Sequence, residues 1–408
     1  MIIRYKFSIL IIAALFFLWG CCKEPAPAPE AEMSLLIYLA GEDNTINQDI
    51  KDNIEQLKRG FIPQNGHIII YHDAIGALPR LFTIVKEKDG SIVEKLIEEY
   101  PEENSADAAV LRRVLIKLRD DYPAKNYGLI LSSHGTGWIP GPSSRSFPQL
   151  FKELLNERAQ LNREDMPAVK SFGADKGYPG VQMEIDALAA AIPYRLSFIL
   201  FDACLMGGIE VLYALRNATD YMVASPTEIL SYGFPFEQII QPIFMPKPDL
   251  ESVINAFYNF YNEKSGLFRS ATVAVYGTEE QALSELTQTV KSIFRANREK
   301  LDDFSPVDVQ RYANLHPSDL PWFDLDDFIL QLATTAEYER FQSALSKVVI
   351  YKRSTEGFFS AYTGGGYIQL KNFGGISTYI PYGTNGMHPV WRTAYKKTEW
   401  NQAVGLVE

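Results

Sequence analysis

The chain has 408 residues, with 39 Lys and Arg against 50 Asp and Glu, a net charge of −11 and a pI near 5.1. That balance argues against a nucleic-acid partner, which needs a basic face, whereas a hydrophobic content of 47% is that of a globular chain. Of three cysteines, Cys21 and Cys22 sit near the N-terminus, so Cys204 is the sole thiol of the body and no intrachain disulfide can form there.

Arg4 and Lys6, an apolar run from Phe7 to Trp19, and Gly20 before Cys21 read as a signal peptide over residues 1–20. The run is short for a membrane span, which takes about 20 residues. The small residue before Cys21 resembles a bacterial lipobox, so Cys21 is the expected lipidated first residue; bulky Trp19 departs from the tightest pattern, and Cys22 competes for the role. Residues 21–32, with Pro25, Pro27 and Pro29, form a tether of extended polyproline character. The expected location is the bacterial cell envelope, lipid-anchored at the periplasmic face or the cell surface.

Met33 to Ala40 is a continuous apolar run, as in a central parallel strand. A helix is predicted over Asn47 to Lys58, a buried strand over His67 to Tyr71, and an edge strand or hairpin arm over Arg80 to Lys86. Ser105 to Asp121 carries apolar residues at helical spacing and is stopped by Pro123. The strand Tyr127 to Ser133 follows. From 139 to 180 periodicity breaks down around Pro140, Pro142, Pro148, Pro167 and Pro179, which reads as an inserted loop. Glu184 to Ala191 is a short helix before the strand ending at Cys204; a helix over Ile209 to Arg216 and a strand over Tyr221 to Ala224 come next.

Strands alternating with helices predict an α/β three-layer sandwich with a mainly parallel sheet over 33–248. A C-terminal α/β subdomain is expected over 249–408. It would hold a helix over Leu250 to Glu263, a strand over Ser270 to Tyr276, and a helix whose Thr278 and Gln281 match a capping box. Helices over Asp324 to Ala333 and Glu337 to Val348, and strands over Tyr367 to Leu370 and Gly375 to Ile380, complete it.

In an open parallel sheet, ligands bind beyond the carboxyl ends of the strands. His134 and Cys204 both fall at such ends. A thiol becomes a nucleophile when an imidazole favours its thiolate and later protonates the leaving amine. Gly135 leaves room for a carbonyl oxygen, and its N–H can help stabilise an oxyanion. Set against this, a cysteine ending an apolar strand is most often a buried small hydrophobe.

The segments Ser133-His134-Gly135-Thr136-Gly137-Trp138 and Phe201-Asp202-Ala203-Cys204-Leu205-Met206-Gly207-Gly208-Ile209-Glu210-Val211 resemble the clostripain family of cysteine peptidases, in the broad clan of caspases, gingipains and legumains. The resemblance extends through Asp220 to Glu228, Trp322 to Leu325, and Thr398-Glu399-Trp400. It implies a caspase-like fold and thioester chemistry, with His134 as general acid/base and Cys204 as nucleophile. It also implies backbone N–H groups of Gly135 and Cys204 as the oxyanion hole. A preference for Arg or Lys before the scissile bond would need an acid in the first pocket; Asp202 is the leading candidate, with a loop-fixing carboxylate as its alternative, and Glu228 is the second. Relatives are commonly matured between the histidine and cysteine strands, where this chain carries Arg145, Lys152, Arg158, Arg163 and Lys170.

His67 and His72 point to opposite faces of one strand and cannot share a metal. Gly364-Gly365-Gly366 lacks the lysine of a phosphate loop and reads as a turn, and no Gly-x-Ser-x-Gly elbow is present. Asp324, Asp326 and Asp327 read as a solvated helix start, so no metal and no cofactor are expected. The expected protein is an exported, monomeric cysteine endopeptidase acting on proteins or peptides and bound to the membrane by its lipid. A non-catalytic surface lipoprotein binding peptide or glycan, and an enzyme passing the acyl group to an amine or hydrolysing a small amide, are the competing readings.

Overall fold

The computed structural model describes residues 31–41, 47–61, 65–133, 135–139, 183–315, 320–362, 365–382 and 387–408. In chain order the first elements are β1 (Ala31–Gly41), α1 (Asn47–Gly60), β2 (Gly66–Ala74), β3 (Arg80–Lys86), β4 (Ile92–Glu99), α2 (Ala108–Asp121) and β5 (Ala124–Ser132). Next come α3 (Ile185–Ala191), β6 (Leu196–Asp202), α4 (Ile209–Leu215), β7 (Thr219–Ala224), α5 (Phe236–Ile243), α6 (Leu250–Asn262), β8 (Thr272–Gly277), α7 (Glu280–Ala296) and α8 (Arg298–Asp302). The remainder is β9 (Phe323–Asp324), α9 (Leu325–Leu332), α10 (Thr335–Val348), β10 (Val349–Ser354), β11 (Gly357–Ser360), β12 (Gly366–Gln369), β13 (Ser377–Thr378), α11 (His388–Tyr395) and α12 (Glu399–Val404).

Nine strands form one sheet in the order β10-β8-β7-β6-β5-β1-β2-β3-β4. The five from β7 to β2 run parallel, and the flanking pairs β8/β10 and β3/β4 are antiparallel. Leu35 to Leu39, Ile68 to Tyr71 and Phe198 to Phe201 are all buried, as parallel strands covered on both faces require. The chain leaves β1 toward β2 through α1 and later toward β5, β6 and β7 in the opposite sense. Right-handed crossovers therefore place α1 on one face and α2, α3 and α4 on the other. The contacts follow: α1, α5 and α6 form one row, while α2, α3, α4, α12, α7 and α10 form a second. The result is the three-layer α/β/α sandwich expected from the sequence.

Residues 249–408, expected as a separate subdomain, contribute β8 and β10 to this same sheet, and 31–408 form one compact unit. The apolar strand β8 finds its hydrogen-bonding partner in β7. Some local expectations need correction. β4 was not expected: Ile92–Glu99 mixes exposed Lys95 and Leu96 with half-buried neighbours, a pattern that suits a sheet edge and hides a strand from periodicity. Helix α2 starts at Ala108 and not at Ser105, because the Asp107 carboxylate accepts the Ala109 N–H; such a cap is worth about 1 kcal/mol.

Thr278 does not cap α7. Its hydroxyl donates instead to the Thr219 carbonyl at the start of β7, and a capping box forms at Thr334 and Glu337, starting α10. Asp324 does begin a helix, but fully buried: it accepts from the amides of Asp327 at 3.0 Å and Gly374 at 2.6 Å and from the Tyr312 hydroxyl. Burial raises its carboxyl to a pKa of about 6. The strand expected over Gly375 to Ile380 shrinks to β13, paired with β9. Of the expected glycine turn, Gly365 lies between β11 and β12 and Gly366 opens β12.

Candidate active site

The register of the parallel core brings the two loops together. Ser132, the last residue of β5, pairs with Asp202, the last of β6, so the His134 and Cys204 loops leave the sheet side by side. His134 itself lies outside the described residues, while Ser133 and Gly135 on either side are described. Gly135 runs against the Cys204 backbone: a β-carbon there would stand 2.3 Å from the Cys204 carbonyl oxygen and 2.9 Å from Met206 Sδ.

Cys204 is 1% exposed. Its Sγ accepts the Ile229 N–H at 3.2 Å and donates toward the Ile229 carbonyl at 3.6 Å. Leu205 follows in the left-handed region, φ 62°, which costs a non-glycine residue on the order of 1–2 kcal/mol. The strain is held by the neighbouring loop, where the Thr227 carbonyl accepts the Leu205 N–H at 2.8 Å and the Ser225 carbonyl accepts that of Gly207 at 2.8 Å. Thr272 on β8 anchors that loop through hydroxyl contacts with Ser225 at 2.8 Å and Thr227 at 2.6 Å.

Asp202 and Glu228, the two acids expected in the first pocket, are both buried. Asp202 accepts the Ser132 hydroxyl at 2.8 Å and the Phe234 N–H at 3.1 Å, so it ties the histidine strand to the segment after Ile229. Glu228 accepts the Ala361 N–H at 3.1 Å. Cys21 and the basic residues Arg145, Lys152, Arg158, Arg163 and Lys170 lie outside the described residues. Among the described residues there is no cluster of His, Cys, Asp or Glu of metal-binding size, and no helix is long and apolar enough to cross a membrane.

Two participants escaped the sequence reading. Ile229 touches the thiol through its backbone from 25 residues away, which leaves no side-chain signature. Glu210 sits buried on α4, six residues past the cysteine, and the signal for it was an acid between Ile209 and Val211 on an apolar helix. Burial raises its carboxyl to a pKa of about 7. A carboxyl held above its ordinary value binds more protons in the folded than in the unfolded chain between about pH 4.5 and 7. Folding stability therefore falls as pH rises through that window. Glu210→Gln is expected to remove this slope, worth on the order of 3 kcal/mol, in urea unfolding measured at pH 5 and pH 8.

The sequence profile of the clostripain family matches residues 37–148 and 158–405. The chain belongs to the clostripain family. An inactive zymogen C11 protease from Parabacteroides distasonis is 31% identical, with a TM-score of 0.76 over 92% of this chain and 98% of that one. A secreted C11 cysteine protease from Bacteroides thetaiotaomicron, iotapain, is 27% identical, with a TM-score of 0.74 over 92% and 99% of the two chains. Clostripain of Hathewaya histolytica is 25% identical over 235 residues, a match that spans 51% of this chain and 41% of that relative. Membership of a family of cysteine peptidases makes the lone thiol of the body, set at a strand end beside the His-Gly loop, the candidate nucleophile.

Proposed function

We propose that this protein is an exported cysteine endopeptidase in which Cys204 attacks the scissile carbonyl and His134 takes the thiol proton and returns it to the leaving amine. The observation that carries this reading is the close approach of Gly135 to the Cys204 backbone, which sets the residue after the imidazole against the residue that bears the thiol. The attack forms the C–S bond as the carbonyl becomes an oxyanion, with the N–H groups of Gly135 and Cys204 as its donors. Collapse expels the amine, and water then hydrolyses the thioester. The likeness to a secreted relative supports export, and the sequence of residues 1–32 supports a lipid anchor at Cys21 in the cell envelope.

Arg or Lys before the scissile bond is the proposed preference, drawn by the negative charge of Asp202 and, beyond it, Glu228. The likeness to a zymogen, together with a thiol only 1% exposed, supports activation by cleavage in the 139–180 loop. The same buried thiol is the one observation that favours the competing reading of a non-catalytic binding protein.

The test is a mixed peptide library incubated with the full chain under reducing conditions and read by mass, with and without prior alkylation by iodoacetamide. Cleavage after Arg or Lys that alkylation removes is the expected result. Asp202→Asn should then lower kcat/KM for basic peptides by about 10- to 100-fold, the scale of losing one charged contact. Cleavage after other residues would discard the role given to Asp202, and no alkylation-sensitive cleavage, by a chain first opened in the loop with trypsin, would move the reading to the binding protein.

A further inference from the structure

Beyond Cys204 the chain makes a short parallel contact with a strand from far away in sequence. Gly208 bridges to Ser377, and the Gly207 carbonyl accepts the Ser377 N–H at 2.9 Å. The next two residues of that strand are held by one carboxylate: Glu210 Oε1 accepts the Thr378 hydroxyl at 2.9 Å and the Tyr379 N–H at 3.1 Å. Its other oxygen, Oε2, is buried without a hydrogen-bond partner among the described residues. It lies beside Gly208, where a methyl group would stand 3.1 Å from it.

The histidine loop reaches the same place. The Trp138 indole packs on Tyr379 at 5.4 Å and on Tyr395 at 5.3 Å between ring centroids, and it lines one cavity with Glu210. A change in how Glu210 holds Ser377–Tyr379 therefore moves the support under Gly207 and the surface against which Trp138 rests. We infer that Glu210 is a positioning residue for the reaction: its carboxyl locks the Ser377–Tyr379 segment to Gly207–Gly208 and thereby sets the cysteine loop against the histidine loop. This rests on the peptidase reading above.

A neutral carboxyl suits the site, because burial penalises the charged form more than the contacts with Thr378, Tyr379 and the Tyr395 hydroxyl favour it. The groups facing it are Tyr395 on α11 and Tyr379 after β13, both pushed above the ordinary phenol range by burial, then Glu184 and Asp186 at the start of α3, and Lys397 and Glu399 around the start of α12. None of these supplies a second cation beside Lys397, so the carboxyl's own titration is the event expected near pH 7.

The full chain and its Glu210→Gln, Glu210→Ala and Thr378→Val forms are compared by kcat and KM on a fluorogenic Arg-ended or Lys-ended peptide from pH 5.5 to 8.5. The rate at which iodoacetamide alkylates Cys204 is read in parallel, from the mass of the Cys204-bearing peptide, and circular dichroism reports the folded fraction. Glu210→Ala is expected to lower kcat by about 10- to 100-fold, as a displacement of the order of 1 Å does, with KM near the native value and an altered alkylation rate. Thr378→Val should do the same more weakly. Glu210→Gln, which keeps an acceptor for Thr378 and Tyr379, should restore most of the activity and abolish the fall in native kcat above pH 7. Native kcat and alkylation in both Glu210 variants would overturn the inference, as would equal losses in Ala and Gln forms that track the folded fraction. Should the native chain show no Cys204-dependent cleavage, the peptidase reading falls, and the alkylation rates alone decide: unchanged rates overturn the positioning role and changed rates uphold it.

Discussion

Replacing Cys204 with alanine is expected to abolish cleavage of every peptide the native chain cuts, by on the order of 10⁵- to 10⁶-fold in kcat, in a protein that remains folded. Stability survives because the thiol's structural work is small. Among the described residues its Sγ accepts the Ile229 amide at 3.2 Å, and leaving one such donor without its acceptor costs about 1–3 kcal/mol. The surrounding loop keeps its backbone bonds from Leu205 to Thr227 and from Gly207 to Ser225. The same variant tests maturation when both proteins are weighed intact. A native chain split after one of Arg145, Lys152, Arg158, Arg163 or Lys170, beside an unsplit Cys204→Ala chain, is the expected pair of masses. A variant still cut in that interval during purification would sink self-processing, and residual peptide cleavage by it would remove Cys204 from the chemistry altogether.

The parallel core was legible because strands buried on both faces leave unbroken apolar runs, and β1, β2, β5 and β6 are such runs. The edge strand β4 was not, because its exposed face carries charge and its buried face is incomplete. Of the site, the sequence showed the pieces that stand at strand ends, with Asp202, Cys204 and the His-Gly pair readable as motifs. What it hid are contacts made through the backbone or across long separations. Ile229 meets the thiol by its amide, and Glu210 meets Thr378 from 168 residues away. The merging of 249–408 into the main sheet was hidden for the same reason, since the β7–β8 pairing depends on which strand edge is open and not on either strand's composition.

Gly135→Ala is expected to lower kcat/KM by at least about 100-fold, the scale of losing one oxyanion donor or of a displacement of the order of 1 Å. Stability should fall by only about 1–3 kcal/mol, as for an overpacked methyl group. The added β-carbon would meet two neighbours of different kinds: Met206 Sδ at 2.9 Å, and the Cys204 carbonyl oxygen at 2.3 Å. A methionine side chain can swing aside at little cost. The carbonyl cannot, because it belongs to the residue that carries the thiol and is followed by Leu205 in a left-handed conformation held by Thr227. Relief must therefore come from parting the histidine loop from the cysteine loop, which also carries the Gly135 N–H away from the oxyanion it is proposed to stabilise. The double variant Gly135→Ala/Met206→Ala separates the two causes. If the backbone contact governs, removing the thioether restores nothing, and the double variant stays as slow as the single one on the same fluorogenic peptide. Recovery to within about threefold of Met206→Ala alone would assign the loss to side-chain crowding, and a Gly135→Ala enzyme with near-native kcat/KM would show that the two loops do not need this close approach to react.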